Sequence, residues 1–81
     1  MKFPSLRAGQ FAVVQAEIET GIILTSDGLN RHLGVGEMFR VFDSLNSALE
    51  FARSVVHIRP RVECGIYDSG QNQIHRVTAH P

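Results

Sequence analysis

The sequence predicts a small α+β domain: a mostly antiparallel sheet of four to five strands with one helix packed on one face, in the order β-β-β-α-β-β. Three observations predict it. Apolar residues recur every three or four positions from Leu45 to Val56, between a serine cap and the Arg59-Pro60 break. Apolar and polar residues alternate over Gln10 to Thr20 and again over Arg61 to Tyr67, which is the period of a strand. Turn-forming residues punctuate the chain at Ser26-Asp27-Gly28 and Asp68-Ser69-Gly70. At 81 residues the chain makes one domain, residues 1–81.

Each element follows from its local chemistry. Met1 to Gly9 reads as a loosely held lead-in, broken by Pro4 and Gly9. In the first strand, Ala12, Val14, Ala16 and Ile18 fall on one face; Phe11, Val13, Gln15, Glu17 and Glu19 fall on the other. After Gly21, the β-branched run Ile22-Ile23-Leu24-Thr25 predicts a second strand in a hairpin with the first. Leu29 to Gly36 has no period and reads as the long loop, with Gly34-Val35-Gly36 a sharp turn; such loops often carry function. Glu37 to Phe42 is the third strand.

The helix is signalled at both ends. Ser44 can cap the free N–H groups of its first turn, and Asp43 adds negative charge there. Leu45, Ala48, Leu49, Ala52, Val55 and Val56 form one stripe, with Phe51 at its edge. Pro60 forces the preceding residue out of helical geometry, so the helix ends near His57 or Ile58. Val62, Cys64 and Ile66 then face the helix, opposite Arg61, Glu63, Gly65 and Tyr67. Asn72 to Ala79 returns as a last strand, whose poor alternation predicts an edge strand or a bulge.

Composition narrows the function. A chain this short buries only about 60% of its unfolded surface, and such a core rarely supplies more than roughly 3–5 kcal/mol. Cys64 is the only cysteine, so no disulfide within the chain adds to this. Eight basic residues balance eight acidic ones. The basic excess of a nucleic-acid binder is absent, and only Arg59 and Arg61 stand close together. No apolar run approaches the ~20 residues of a membrane span, and no apolar stretch follows the basic N-terminus. The expectation is a cytoplasmic protein without nucleic-acid or membrane partners.

The chemistry-bearing residues do not assemble into a catalytic motif. His32, His57, His75 and His80 lack metal-ligand spacing, so no metal site is expected. Cys64 points toward the helix and His57 away from it, so the pair reads as packing and surface rather than nucleophile and base. Glu17 and Glu19 read as solubilising charge. Gly34-Val35-Gly36 lacks the following lysine of a phosphate loop. The expectation is a non-enzymatic chain with no cofactor.

One helix covers only one face of a sheet. The alternation assigns Phe11, Val13, Gln15, Glu17, Glu63 and Tyr67 to the other face, a mixture of aromatic, aliphatic and charged groups that suits an interface. Tyr and Arg are enriched at binding hot spots. The candidate partner-binding residues are therefore Tyr67, Arg61, Arg40, Glu63 and Glu17. The competing expectation is that the N-terminal segment, with Phe3 and Leu6, folds back over that face.

Val41-Phe42-Asp43-Ser44, Ala48-Leu49-Glu50-Phe51-Ala52, Pro60-Arg61-Val62-Glu63-Cys64 and Ile66-Tyr67-Asp68-Ser69-Gly70 together resemble the C-terminal half of a group of short bacterial proteins. Some of that group look like immunity proteins of polymorphic toxin systems. The resemblance covers about half the chain, and every matching residue also has a structural role as cap, core, helix stop, strand or turn. It implies a protein that binds and blocks a cognate toxin domain. The alternative expectation is a homodimeric ligand-binding or enzymatic domain with an interfacial site built from His32, His75 and Glu17.

Overall fold

The computed structural model describes residues 3–32 and 37–79. The predicted Gly34-Val35-Gly36 turn lies outside the described residues, as does His80. Four strands and one helix appear in the order β1 (Phe11–Glu17), β2 (Phe39–Phe42), α1 (Leu45–Ile58), β3 (Val62–Tyr67) and β4 (Gln73–Val77). The sheet runs β2-β1-β3-β4, with every neighbouring pair antiparallel. The α+β class, the single helix and the antiparallel sheet stand as the sequence predicts.

The predicted strand Ile22–Thr25 does not form. It leaves two isolated bridges, Ala16 to Ile23 and Leu24 to Arg31, with hydrogen bonds from Glu17 N–H to the Ile22 carbonyl and from Leu24 N–H to the Gln15 carbonyl on one side and from His32 N–H to the Ile23 carbonyl on the other. The reason is competition for one strand edge. β3 pairs with β1 from Ala12 to Glu17, and β2 takes the opposite edge from Phe11 to Val14. Only the last residues of β1 remain for the 22–24 segment. Ser26 N–H then donates to the Glu37 carbonyl at 2.7 Å, so the excursion from 26 to 37 begins and ends at one point. The third strand starts at Phe39, two residues later than expected.

α1 matches its prediction at both ends. Ser44 has extended backbone and its hydroxyl accepts from Ser47 N–H at 3.1 Å. The last turn closes with Arg59 N–H on the Val55 carbonyl. Ala48, Ala52 and Val56 are buried against Val13, Cys64 and Ile66, with Leu45, Leu49, Phe51 and Val55 packed around them. Burying a side chain such as Ile66 or Val13 is worth about 1.5–3 kcal/mol. The small Ala48 and Ala52 let the helix settle close to the sheet, chiefly over β3.

The two faces of β1 are the reverse of the expectation. Val13 stands opposite Ile66, and Gln15 opposite Cys64. Cross-strand partners share a face, so Phe11, Val13, Gln15 and Glu17 lie on the helix side. Ala12, Val14 and Ala16 lie on the outer side with Glu63, Gly65 and Tyr67. Alternation identifies which residues share a face; only the pairing register says which face meets the helix. β1 is buried on both sides from Ala12 to Ala16, so burial draws no contrast between them. β4 behaves as predicted: an exposed edge strand with a bulge opposite Ile66 and Tyr67.

Candidate functional site

The five candidate residues fall in three places. Tyr67 and Glu63 lie on the outer face of the sheet. Arg61 and Glu17 line a cleft at the end where β1 stops and β3 begins. Arg40 belongs to neither. It shares a face with Val13, and its guanidinium sits 4.8 Å from the centre of the Phe51 ring and 6.0 Å from that of Phe42. Those rings are themselves 5.2 Å apart. Arg40 thus covers the open edge of the core in a cation–π contact.

The outer face has a floor of small residues and a partial aromatic cover. Ala12, Val14 and Ala16 are buried although no helix lies over them. The Phe3 ring packs edge-on against Phe39 at 4.8 Å and against Tyr67 at 5.5 Å. The N-terminal segment therefore folds back onto this face, as the competing expectation held. The Tyr67 hydroxyl donates to Gln73 Oε1 at 3.2 Å, and its ring crosses Gly65, where a Cβ would meet Tyr67 Cε1 at 3.3 Å. Arg76 and Glu63 pair across β4 and β3 at 2.6 Å. On β2, across the sheet from that pair, Val41 remains 44% exposed, opposite Ala12.

The cleft encloses about 400 Å³ between the end of β1, the loop at 28–31 and the turn joining α1 to β3. That turn is Arg59-Pro60-Arg61-Val62, closed by Val62 N–H on the Arg59 carbonyl at 3.0 Å. Proline in its second position presets the backbone. Ile18 N–H donates to the Arg61 carbonyl, tying the turn to the end of β1. Arg31 grips Glu17 with both Nε and Nη2, at 3.0 and 3.1 Å. That bond, followed by one from the Thr20 hydroxyl, holds the Glu17 carboxyl below its ordinary range. Arg59 donates through Nη1 to the Gly28 carbonyl.

Gly28 is moulded to this arrangement. Its φ is +75°, and a Cβ there would come within 2.6 Å of both Arg59 Nη1 and Gln15 Oε1. Gln15, only 4% exposed, reaches back with Nε2 to the Ser26 carbonyl at 3.1 Å. Asp27 accepts from the Thr25 hydroxyl at 2.6 Å and from Leu29 N–H at 2.9 Å, which lowers its carboxyl in that order of cause. A second hollow of about 230 Å³, lined by Gln15, Asp27, Arg40, Phe51 and Ile58, also meets Arg59. Arg31, Arg59 and Gly28 were missed as site residues from sequence, although the Arg59–Arg61 proximity and the Asp27-Gly28 turn were both visible.

The remaining chemistry-bearing groups stay apart. Cys64 is buried beneath the helix, and burial, with Glu63 adding to it, pushes its thiol up to about 12. His75 pairs opposite Ile66, two strands and four residues from Glu17, roughly 16 Å by sheet spacing. Glu17 and His75 therefore do not converge within one chain. Among the described residues no helix is long and apolar enough to cross a membrane. No protein-family model, curated protein or solved structure matches the chain.

Proposed function

We propose that the chain is a non-enzymatic protein-binding module that neutralises a cognate bacterial toxin by covering its active site. One observation carries this reading: the outer sheet face, with its half-buried Phe3, Phe39 and Tyr67 rings, the exposed Val41 and the Glu63–Arg76 pair at its rim. An aromatic and aliphatic centre edged by charge is the composition of a binding surface. The toxin enters through the resemblance of the C-terminal half to a group of short bacterial proteins, some of which look like immunity proteins.

The test is reconstitution. A partner captured from the host is purified, bound at defined stoichiometry, and assayed for its own activity with and without this chain. Inhibition at one-to-one stoichiometry supports the proposal. Tyr67→Ala and Val41→Asp, with the fold verified, should each weaken the complex by at least about 30-fold if they sit at a hot spot. Binding unchanged in both variants would refute the surface.

The homodimer reading rests on a different observation, the exposed outer edge of β4 from Gln73 to Ile74 and His75. Unpaired edges template strand addition, and pairing of two such edges would join two sheets. Light scattering on the purified chain decides between a monomer and that dimer.

A further inference from the structure

We propose that the cleft beside Gly28 receives a single carboxylate, an aspartate or glutamate side chain of the protein partner. This rests on the protein-binding reading above and gives that partner a chemistry. The cleft carries unspent donors. A guanidinium carries five N–H groups in a planar fork that matches a carboxylate. The Arg31 fork is occupied by Glu17. Arg59 spends one N–H on the Gly28 carbonyl, and that bond, with its place at the end of α1, fixes the group in the cleft wall. Arg61, two residues on across the Pro60 turn, lines the same cleft and makes no ion pair with any described residue. Arg59 is thus held in the wall by its bond to a glycine with no room for a side chain, and the proline turn places exposed Arg61 on the same wall.

The charge of the cleft selects the ligand. Among the residues that line the cleft, Arg31 and Glu17 neutralise one another and Glu19 offsets one of Arg59 and Arg61, leaving one net positive charge; Asp27, which lines the neighbouring hollow, also acts on Arg59, so the cation open to a ligand is that of Arg61. One carboxylate balances it. A phosphate dianion or a nucleic-acid backbone would overfill it and meet two glutamates, and the chain as a whole carries no net charge to attract a polyanion. The remaining lining is apolar. Leu24 and Val62 are buried beneath the cleft, and Leu29 stands at its mouth 68% exposed. That suits the methylene stem of an acidic side chain and an apolar neighbour. The volume lies within the usual range for a small bound group, about 300–1,000 Å³.

The probes are three: N-acetyl-Leu-Glu-methylamide, its Leu-Gln counterpart, and inorganic phosphate, each titrated into isotope-labelled protein and followed by amide and arginine Nε–H resonances. The Glu peptide should shift Gly28, Leu29 and the Arg61 side chain saturably, with a Kd on the order of 1 mM. The Gln peptide and phosphate should each bind roughly tenfold more weakly, since each lacks the matched single charge. Arg61→Gln, at an exposed position, should weaken the Glu peptide by about tenfold with the remaining spectrum unchanged, and Glu19→Gln should tighten it. Equal binding of Glu and Gln peptides, tighter binding of phosphate, or no saturable shift would each overturn the inference. A partner bound through Tyr67 but indifferent to Arg61→Gln would sink the inference and keep the protein-binding reading. Peptide capture by a chain that neutralises no protein would do the reverse.

Discussion

Replacing Gly28 with alanine tests whether the loop at 25–31 is built around Arg59 and Gln15. Two costs combine. The φ of +75° is a left-handed conformation, which costs a residue with a Cβ roughly 1–2 kcal/mol. The new methyl would also come within 2.6 Å of Arg59 Nη1 and Gln15 Oε1, so both side chains must move. Gln15 is buried, and losing its bond to the Ser26 carbonyl leaves a buried amide unsatisfied, at about 1–3 kcal/mol. The sum, about 2–5 kcal/mol, rivals the roughly 3–5 kcal/mol available to a domain of this size. Gly21 supplies the control, because its φ is +72° and nothing lies within 4 Å of a Cβ there. Gly21→Ala should therefore lose only the backbone term, a fall in Tm of roughly 5–15 °C. Gly28→Ala should lose at least about twice as much, or fail to unfold cooperatively at all. Thermal melts of the two variants measured side by side decide it. Equal losses would refute the idea that Gly28 is confined by Arg59 and Gln15.

Four further outcomes follow from the geometry. Ser44→Ala removes the hydroxyl that accepts from Ser47 N–H and should cost about 1 kcal/mol, read as a Tm lower by roughly 4–8 °C; an unchanged Tm would show that the cap contributes nothing. Ala52→Asp buries an unpaired charge at a site with no exposure and should abolish the cooperative transition; an intact transition at the wild-type midpoint would misplace the helix stripe. Cys64, with its thiol pushed up to about 12 by burial and then by Glu63, should resist a thiol-specific disulfide reagent at neutral pH and react fully once denatured; rapid reaction in the native state would mean that the helix does not seal the sheet. The Glu17 carboxyl is held below its ordinary value of 4.5 by Arg31 and Thr20, so its contribution to stability is complete above that value and is lost as pH falls through the lower folded-state one. Glu17→Gln should melt below the wild type at neutral pH and converge with it as the pH falls below the ordinary carboxylate range, and a gap constant with pH would exclude the ion pair as its cause.

Local signals read well from sequence wherever one short-range interaction determines the outcome. The Ser44 cap, the Pro60 stop and the Asp68-Ser69-Gly70 turn each act within four residues, and the helix and second hairpin fall where they predict. The errors concern competition between distant segments. Ile22 to Thr25 has the composition of a strand, yet Phe39 to Phe42, whose partners are Phe11 to Val14, holds most of the edge it would need. β1 alternates, but which side receives α1 depends on Val13 meeting Ile66 across 53 residues of chain, and no local pattern encodes that. Residue size was the available clue. The helix presents Ala48 and Ala52, so larger side chains such as Phe11 and Val13 must fill the space above the sheet, while Ala12 and Ala16 suit the face without a helix. The cleft was half legible for the same reason. Arg59 and Arg61 are near neighbours, but Arg31 and Gly28 join them only because the excursion from Ser26 to Glu37 closes on itself.

The division of Tyr67 and Glu63 from Arg61 and Glu17 between two surfaces bears on how a partner would engage. Tyr67 ends β3 and Val62 begins it, so the outer aromatic cluster and the arginine cleft lie about 17 Å apart along one strand. A protein interface of ordinary size covers about 800 Å² on each side, a patch wide enough to span both. The two regions would then contribute differently. Phe3, Phe39 and Tyr67 offer apolar area that excludes water and supports affinity. The cleft would offer the Arg61 cation, which would reject partners without a matching acid more than it adds to affinity. Elsewhere the segment that carries Phe3 is hydrogen-bonded through the Arg7–Gln10 turn and from Gln10 to Asp43. A partner that displaced the Phe3 ring would reach toward Ala12 and Val14, while Gly65 stays under the Tyr67 ring, so the small-residue floor of the outer face becomes contact surface only for a partner whose own side chains replace the Phe3 ring.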